Sequence, residues 1–361
     1  MLEYKELLGL MKTVAKADPS VATCYSHNGE NLSYAAANET LRNELNLLAG
    51  SYAQFRENKN IIFSLIEETI QEILPKKVLD QYGSFAEVKT FAQGDRPVFK
   101  QKIGKMRAKQ FITRVGLAGR YEVFKLGEKS FEVQTSAIGG AAQIGLEEFL
   151  DGRVDFAELT NIVMEGMDEL IYREIAKALM GSINQLPDAN HAAIAGFDET
   201  EFDRLIATAS AYGVPTIYCT YEFAVKMIPA EAWISDAMKD EKWRNGFFTM
   251  YKGTRVIILP QSFEDETNAT KVIDPGYAWI IPAGSEGKPV KVAFEGQTLV
   301  DEHKNRDWSR EIEVYKKVGV VVMMTNNICA YKDLSLAGQM NTWYLQDTVK
   351  NVVDVNIVNN G

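Results

Sequence analysis

The sequence has few of the residues on which most metal centres and catalytic sites depend. It contains three cysteines and three histidines in 361 residues. The cysteines are far apart and odd in number: Cys24, Cys219 and Cys329. They form neither a disulfide framework nor a zinc ligand set, and a reducing compartment is the simpler interpretation. The histidines are equally isolated, at His27, His191 and His303.

Long hydrophobic runs are also missing. No stretch approaches the roughly 20 apolar residues that a membrane span needs, and the longest runs, such as 320–324, have the length of a strand. The N-terminus lacks the cationic start and apolar run of a signal peptide. Because 46% of 361 residues are hydrophobic, the chain can bury cores for two or more domains. We expect a protein without a membrane partner.

Acidic residues are absent from one part of an otherwise acidic chain. The net charge is −10, yet residues 96–121, the basic segment, contain no Asp or Glu. Seven cations of this segment are candidate contact residues: Lys100, Lys102, Lys105, Arg107, Lys109, Arg114 and Arg120. Cations mixed with aromatic residues are typical of single-stranded nucleic-acid binding, but the acidic remainder favours a protein contact. We expect the segment to lie on an acidic neighbouring copy.

Three short patterns resemble catalytic or ligand sites. Residues 139–145 resemble a phosphate loop, but Leu146 and Glu147 follow where Lys and Ser/Thr are required, so we interpret the pattern as a hinge. Residues 301–303 (Asp-Glu-His) lack a second ligand cluster and are interpreted as a solvated loop. A helix capping box explains Asp155 and Glu158 better than paired catalytic carboxylates. The sequence predicts no catalytic, metal or cofactor site.

The first half of the chain changes from helix to strand and back. Residues 1–80 are predicted helical, with helices over 34–55 and 61–74, the last ending before Pro75. They form either a helical subdomain or an extended arm that docks on partners. Residues 85–145, punctuated by glycine, predict a two-stranded ribbon of about 50 Å. A lone ribbon is marginally stable and needs a surface to lie on.

A long helix is predicted from residue 155 to about 185, before Pro187. About 30 residues give a helix of ~45 Å. Its apolar stripe consists of Leu159, Val163, Met167, Leu170, Ile175, Leu179 and Ile183. Glu169 and Arg173 are spaced for an i,i+4 ion pair. Glu165, Asp168 and Glu169 form a candidate acidic face for the cations of another copy.

The second half predicts a compact α/β unit followed by long strands. Asp198 is a probable N-cap; strands are predicted at 214–220, 255–259 and 277–281, and helices at 221–228 and 233–243. Long strands follow at 290–294, 311–316 and 318–324. Residues 353–357 alternate apolar and polar, which predicts an edge strand added to its own sheet or to a neighbour's.

The order of these parts resembles the tailed-phage major capsid protein family, whose fold is shared with encapsulin shells. Two local patterns are similar to family sequence: Gly253-Thr-Arg-Val-Ile-Ile258 and Arg306-Asp-Trp-Ser-Arg-Glu-Ile-Glu-Val314. The resemblance implies an α+β phage major capsid fold. Its parts would be an N-terminal helical arm (1–84), an extended β-hairpin E-loop (85–148), the long spine helix of the P-domain (149–196), an α/β A-domain (197–287), the long β-sheet of the P-domain (288–337) and a C-terminal strand or tail (338–361).

The resemblance implies assembly rather than catalysis. Such subunits form hexamers and pentamers through their A-domains, the E-loop lies across a neighbour's P-domain, and the icosahedral shell encloses double-stranded DNA. The implied location is the virion, assembled in the host cytoplasm with a portal protein and no cofactor. With Met1 in place, we expect a separate scaffolding protein. Lys105 or Lys109 could cross-link to Asn326 or Asn327, as in some relatives.

Two other functions remain open from the sequence. An encapsulin-like compartment shares the fold but holds a cargo enzyme, and the long helical region 1–80 argues against it. A soluble α/β enzyme would need a nucleophile, a metal set or a cofactor loop, none of which the sequence offers.

Overall fold

The structure is a computed structural model. It describes residues 2–17, 25–27, 30–101, 129–144, 156–183, 186–228, 235–263, 267–268, 270–283, 288–304, 306, 310–324, 327–336 and 352–354.

Three helices form the N-terminal region. They are α1 (Tyr4–Lys16), α2 (Tyr34–Ala49) and α3 (Tyr52–Tyr82), with a short hairpin of β1 (Tyr25–His27) and β2 (Glu30–Leu32) between α1 and α2. Ser33 and Ser51 begin α2 and α3, because their side chains accept hydrogen bonds from the first turn. The three helices share one apolar core with the large sheet of the same chain. This packing favours the helical subdomain over an arm that docks elsewhere.

The predicted helix boundaries in this region were wrong in two places. The break lies at Gly50 and Ser51 instead of after residue 55, and α3 continues through Pro75. Proline removes one backbone hydrogen bond from a helix. Leu74 and Val78 are fully buried around it, so core packing compensates for the lost bond.

The segment after α3 contributes its first and last strands to a large sheet, and its two middle strands form a separate pair. Its strands are β3 (Ala86–Phe91), β4 (Val98–Gln101), β5 (Lys129–Glu132) and β6 (Ser136–Ile144). Of these four strands, β4 and β5 pair with each other. We call these two strands the ribbon base. The predicted ribbon over 85–145 was therefore too long, because β3 and β6 belong to the large sheet. Residues 102–128 lie outside the described residues.

A long helix, α4, spans Phe156–Ser182 and confirms the long helix predicted from residue 155 to about 185. Met167, Ile175, Leu179 and Ile183 are buried as predicted, but Leu170 is 40% exposed. Ile171 takes its place in the core, because the i,i+4 spacing from Met167 keeps it on the same face. Asp155 lies outside the described residues, so the capping box stays a prediction.

The α/β unit is built on a second sheet of six strands. Its elements are β7 (His191–Ile194), α5 (Glu199–Ser210), β8 (Val214–Cys219), α6 (Tyr221–Lys226), α7 (Asp236–Asn245), β9 (Met250–Tyr251), β10 (Thr254–Ile258) and β11 (Tyr277–Ala283). A later strand, β14 (Cys329–Asp333), joins the same sheet in the order β7-β14-β11-β8-β10-β9. Asp198 caps α5 as predicted. One face of this sheet packs on an aromatic cluster that includes Phe202, Phe223 and Tyr331.

The large sheet is centred on a long hairpin of β12 (Val290–Lys304) and β13 (Arg310–Met324). Strand β3 pairs in parallel with β12. On the other side, β6 pairs with residues 310–318 of β13 and β15 (Val352–Asp354) pairs in parallel with residues 322–324. The tail therefore adds a strand to its own sheet at 352–354. Residues 355–357 lie outside the described residues.

Two loop interpretations were wrong. The glycine-rich residues 139–144 are no hinge but part of β6, in register with 310–315. Residues 301–303 are no loop but part of β12, opposite 311–313. In both cases hydrogen bonding to β13 overrides a local sequence that has little strand propensity of its own.

Candidate functional site

The described residues contain few features of a catalytic site. Within the described ranges, no group of three or more His, Cys, Asp or Glu side chains could hold a metal ion. No helix of the described part is long and apolar enough to cross a membrane. Cys219 and Cys329 are buried, and burial raises the pKa of each thiol to about 12. Thiols in this state stay protonated at neutral pH, so they are poor nucleophiles.

Of the seven candidate cations in the basic segment, only Lys100 lies among the described residues. It is exposed on β4, where it pairs with Ser130 of β5. The other six, Lys102, Lys105, Arg107, Lys109, Arg114 and Arg120, lie outside the described residues. Their role as contact residues remains a prediction.

The ribbon base has a small core that the sequence reasoning missed. Phe99 is fully buried, with its ring centroid 5.7 Å from that of Phe91 and 6.1 Å from that of Phe131. This cluster packs on Ala293 and Val321 of the hairpin. The recurrence of phenylalanine at 91, 99 and 131 was the available signal. The basic segment therefore continues from a strand that is anchored on its own subunit.

Charged residues lie beneath this aromatic cluster. The buried Lys291 ammonium forms an ion pair with Glu87, whose carboxylate also lies 2.6 Å from Lys89. Burial lowers the pKa of Lys291, and Glu87 opposes that shift. Burial acts to raise the pKa of Glu87, but the two lysines hold it below its usual value. Lys89 Nζ lies 4.9 Å from the Phe99 ring centroid, a cation–π contact.

The candidate acidic residues border one groove between α3, α4 and residues 260–262. The groove has a volume of about 320 Å³. Glu165 and Glu169 are exposed on its rim, and Glu169 lies 3.3 Å from Arg173, which confirms the predicted i,i+4 pair. Asp168 is only 7% exposed. The structure thus brings the three carboxylates to one groove but leaves only two of them accessible.

Asp168 is directed to its own chain. Its Oδ2 atom lies 3.3 Å from Lys77 Nζ of α3. Burial raises the pKa of Asp168, and Lys77 opposes the shift. This ion pair links α3 to α4. Because Asp168 is buried, its carboxylate is not available to a cation of another copy. Sequence periodicity could not reveal this contact, because it depends on where α3 packs.

The proposed cross-link stays a prediction. Asn327 is buried just before β14, whereas Asn326, Lys105 and Lys109 lie outside the described residues.

Comparison with known proteins identifies a family for the chain. The family model described as "SPbeta prophage-derived putative capsid protein YonB" matches residues 6–332. No curated protein matches the chain in sequence.

Several solved structures are similar in fold, at low identity. The mature capsid of bacteriophage PhiM1 has 6% identity and a TM-score of 0.48, with 70% of this chain and 86% of that chain covered. A phage-related protein from Bordetella bronchiseptica RB50 has 14% identity and a TM-score of 0.46, covering 74% and 97%. The holo-SrpI encapsulin complex from Synechococcus elongatus PCC 7942 has 11% identity and a TM-score of 0.40, covering 70% and 87%.

Proposed function

The chain belongs to the YonB family of prophage-derived capsid proteins, and on that premise we propose that it is the major capsid protein of a tailed phage. It self-assembles as hexamers and pentamers into an icosahedral shell that encloses double-stranded DNA. The family match over residues 6–332 carries this proposal. Its role is structural and not enzymatic.

The architecture supports a shell subunit. A 27-residue helix and a hairpin of two 15-residue strands lie side by side, which gives a stiff, elongated body. The α/β unit has its own six-stranded sheet and shares apolar core with this body. In the proposed shell this unit meets its counterparts around the hexamer and pentamer axes. Many weak contacts repeated around a closed shell give collective stability.

The proposed partners follow from this role. Copies of the chain are the main partner, with a separate scaffolding protein and a portal protein during assembly in the host cytoplasm. The packaged DNA is enclosed without sequence-specific contacts, and a subunit of net charge −10 does not attract the phosphate backbone by its net charge. The final location is the virion.

Particle contents test the function against its alternative. Particles purified from induced lysogenic cells or from a phage lysate are treated with nuclease, and the protected contents are then extracted. The capsid proposal predicts double-stranded DNA of genome length. An encapsulin-like compartment would instead contain one stoichiometric cargo protein and no protected DNA, and that result would overturn the proposal.

The contact between subunits is proposed to join the basic segment of one copy to the acidic groove of the next. Glu165 and Glu169 are the accessible carboxylates on the groove rim. Lys77 pairs with the buried Asp168, and Arg173 pairs with Glu169 at the surface. The attraction therefore rests on Glu165 and on Glu169, whose exposed pair with Arg173 is weak enough to exchange for a pair with another copy. Exposed ion pairs contribute only about 0–1 kcal/mol each. The pairs therefore fix orientation and register more than they add affinity.

A charge swap tests this contact. Reversing Lys100, Lys102, Lys105, Arg107 and Lys109 to Glu should leave the subunit folded but prevent shell closure. Adding Glu165→Lys and Glu169→Lys should restore part of the closed particles, because opposite charges again face each other. The matched control is the pair Glu165→Lys and Glu169→Lys alone, which should also impair closure. Normal yields of closed particles with the reversed segment alone would show that the segment does not dock by charge.

A further inference from the structure

Glu295 lies at a β-bulge in the long hairpin. The pairing of β12 with β13 is regular up to Glu295, opposite Lys317, and resumes at Leu299, opposite Tyr315. Residues 296–298 therefore face a single residue of β13. Gly296 has a φ of +70°, which glycine adopts without the strain that a side chain would cause. A bulge of this kind bends the strand and redirects its side chains.

A side chain from α3 fixes the shape of the bulge. Gln71 Nε2 donates to the carbonyl of Gly296 at 3.3 Å. Gln71 Oε1 accepts from the backbone N–H of Thr298 at 2.8 Å. Backbone groups that the bulge withdraws from the sheet ladder are thus satisfied by the helix. The bulge is therefore a rigid feature of the subunit.

Both connections between the ribbon base and the large sheet meet at Glu295. The outgoing connection, between β3 and β4, turns at Gly94, whose backbone N–H donates to the Glu295 carboxylate. The returning connection, between β5 and β6, contains Thr135, whose hydroxyl donates to the same carboxylate. Lys317 Nζ lies 3.6 Å from its Oε1 atom. Glu295 itself is 9% exposed, whereas Gly94 is exposed and Lys317 is partly exposed.

Gly319 lets the returning connection lie directly on the hairpin. A Cβ atom at Gly319 would lie 2.5 Å from the carbonyl oxygen of Gln134, whereas one at Gly296 would make an ordinary van der Waals contact, 3.4 Å, with Cβ of Gln93. The first distance is too short for any side chain. The returning connection therefore lies against the backbone of β13 at Gln134. The next residue, Thr135, donates the hydrogen bond to Glu295.

We propose that Glu295 is a positioning residue for the basic segment. Its carboxylate accepts hydrogen bonds from the outgoing connection at Gly94 and from the returning connection at Thr135, an arrangement we call the clasp. The clasp sets the direction of the ribbon base, from which the basic segment continues. Hydrogen bonds from Thr135 and Gly94 and the ion pair with Lys317 hold the pKa of Glu295 below its usual value, so the clasp is ionised at neutral pH. Its consequence for shell assembly rests on the proposed function.

Spin-label distances in the unassembled subunit test the clasp. Labels are placed at Ser130→Cys on β5 and Asp80→Cys on α3, in a Cys24→Ser background that retains the buried Cys219 and Cys329. Glu295→Gln keeps the shape of the side chain but removes its charge, and Thr135→Val removes one donor. The control, Glu313→Gln, neutralises an exposed carboxylate on the same hairpin.

The clasp predicts that Glu295→Gln and Thr135→Val each widen the distance distribution by about twofold or more, because the ribbon base, whose own core is small, loses a local restraint. Glu313→Gln should leave it unchanged. A distribution as narrow as that of the parent protein in both clasp variants would overturn the inference. So would equal widening in the control. The readout uses free subunits, so it stands apart from the proposed function. Widened distributions with normal shell closure would refute only the docking of the segment in the shell.

Discussion

At the scale of single residues, neighbouring glycines in β6 have different reasons to be there. A Cβ atom at Gly139 would lie 2.2 Å from the carbonyl oxygen of Val314, whereas Gly140 has nothing within 4 Å. Both glycines pair with the same stretch of β13. Close approach of two backbones therefore explains Gly139 but not Gly140.

This difference gives a matched pair of variants. Gly139→Ala should lower the free energy of unfolding by about 2–3 kcal/mol, because β6 must move away from β13. Gly140→Ala should be neutral or stabilise by up to about 1 kcal/mol, since alanine loses less backbone entropy in a strand than glycine. Urea unfolding of the free subunit measures both. Equal effects of the two variants would show that β6 is not seated on β13 as described.

Lys316 is a buried cation opposite the bulge. Its side chain is fully buried and contacts Gln71 Oε1 and Thr298 Oγ1, and burial lowers its pKa from 10.5 to about 8. Between these two values the unfolded chain binds a proton that the folded chain does not. The contribution of Lys316 to stability therefore increases as the pH rises through that window.

Comparison with Lys316→Met isolates this effect. The stability of the parent protein minus that of the variant should increase by about 2 kcal/mol from pH 7.5 to pH 9.5, at about 1.4 kcal/mol per pH unit above pH 8. The buried thiols of Cys219 and Cys329, with raised pKa values, act in the opposite sense in both proteins and cancel in the difference. Urea unfolding at the two pH values measures it. A difference that does not change with pH would mean that Lys316 is protonated throughout.

The sequence predicted some of these side-chain contacts and not others. The Glu169–Arg173 pair was predictable, because both residues lie on one helix with fixed geometry. The Asp168–Lys77 pair, the Glu295 clasp and the Gln71 contacts join residues far apart in the chain. Their partners depend on tertiary packing, about which local periodicity carries no information.

At the scale of elements, α4 joins the N-terminal helices to the large sheet. Its buried face includes Met164, Met167, Ile171 and Ile175, in the same core as α3 and the hairpin. Its opposite face carries Glu165 and Glu169, which border the acidic groove. One helix therefore serves both the core and the proposed contact.

Two substitutions separate these faces. Met167→Asp should destabilise the subunit by more than about 3 kcal/mol or make it insoluble, because an unpaired charge would be buried. Glu165→Ala should change stability by less than about 0.5 kcal/mol, as expected for an exposed position. Thermal unfolding of the two variants measures the difference. Equal melting temperatures would mean that the helix faces are assigned incorrectly.

Elements were predicted best where the hydrophobic period was long and regular. Helix α4 and strands β8, β10 and β11 were found close to their predicted places. The two predicted strands at 311–316 and 318–324 form the single strand β13, and β12 continues ten residues beyond its predicted end at residue 294. The prediction was poorest at Pro75 and at the glycines of β6. There the local preference opposes the observed structure, and packing against the rest of the chain decides the outcome.

At the scale of the whole molecule, charge is distributed unevenly. The chain has a net charge of −10 although its basic segment contains no acidic residue. In the proposed shell, a subunit of this kind repels its copies in general but attracts them where the basic segment meets acidic carboxylates. Such a pattern favours one relative orientation over others. Assembly should therefore weaken as salt screens these charges, whose range is ~8 Å at physiological ionic strength.

The central claim is that this chain assembles with itself into shells, and the mass distribution of the purified protein tests it most directly. The protein is expressed without other phage proteins, and its mass is measured by mass photometry, with electron microscopy of the largest fraction. The account predicts particles of many copies of the 40.4 kDa chain, closed or aberrant in shape, whose yield falls as the salt concentration rises. A protein that remains a monomer or small oligomer at low salt and high concentration would contradict it.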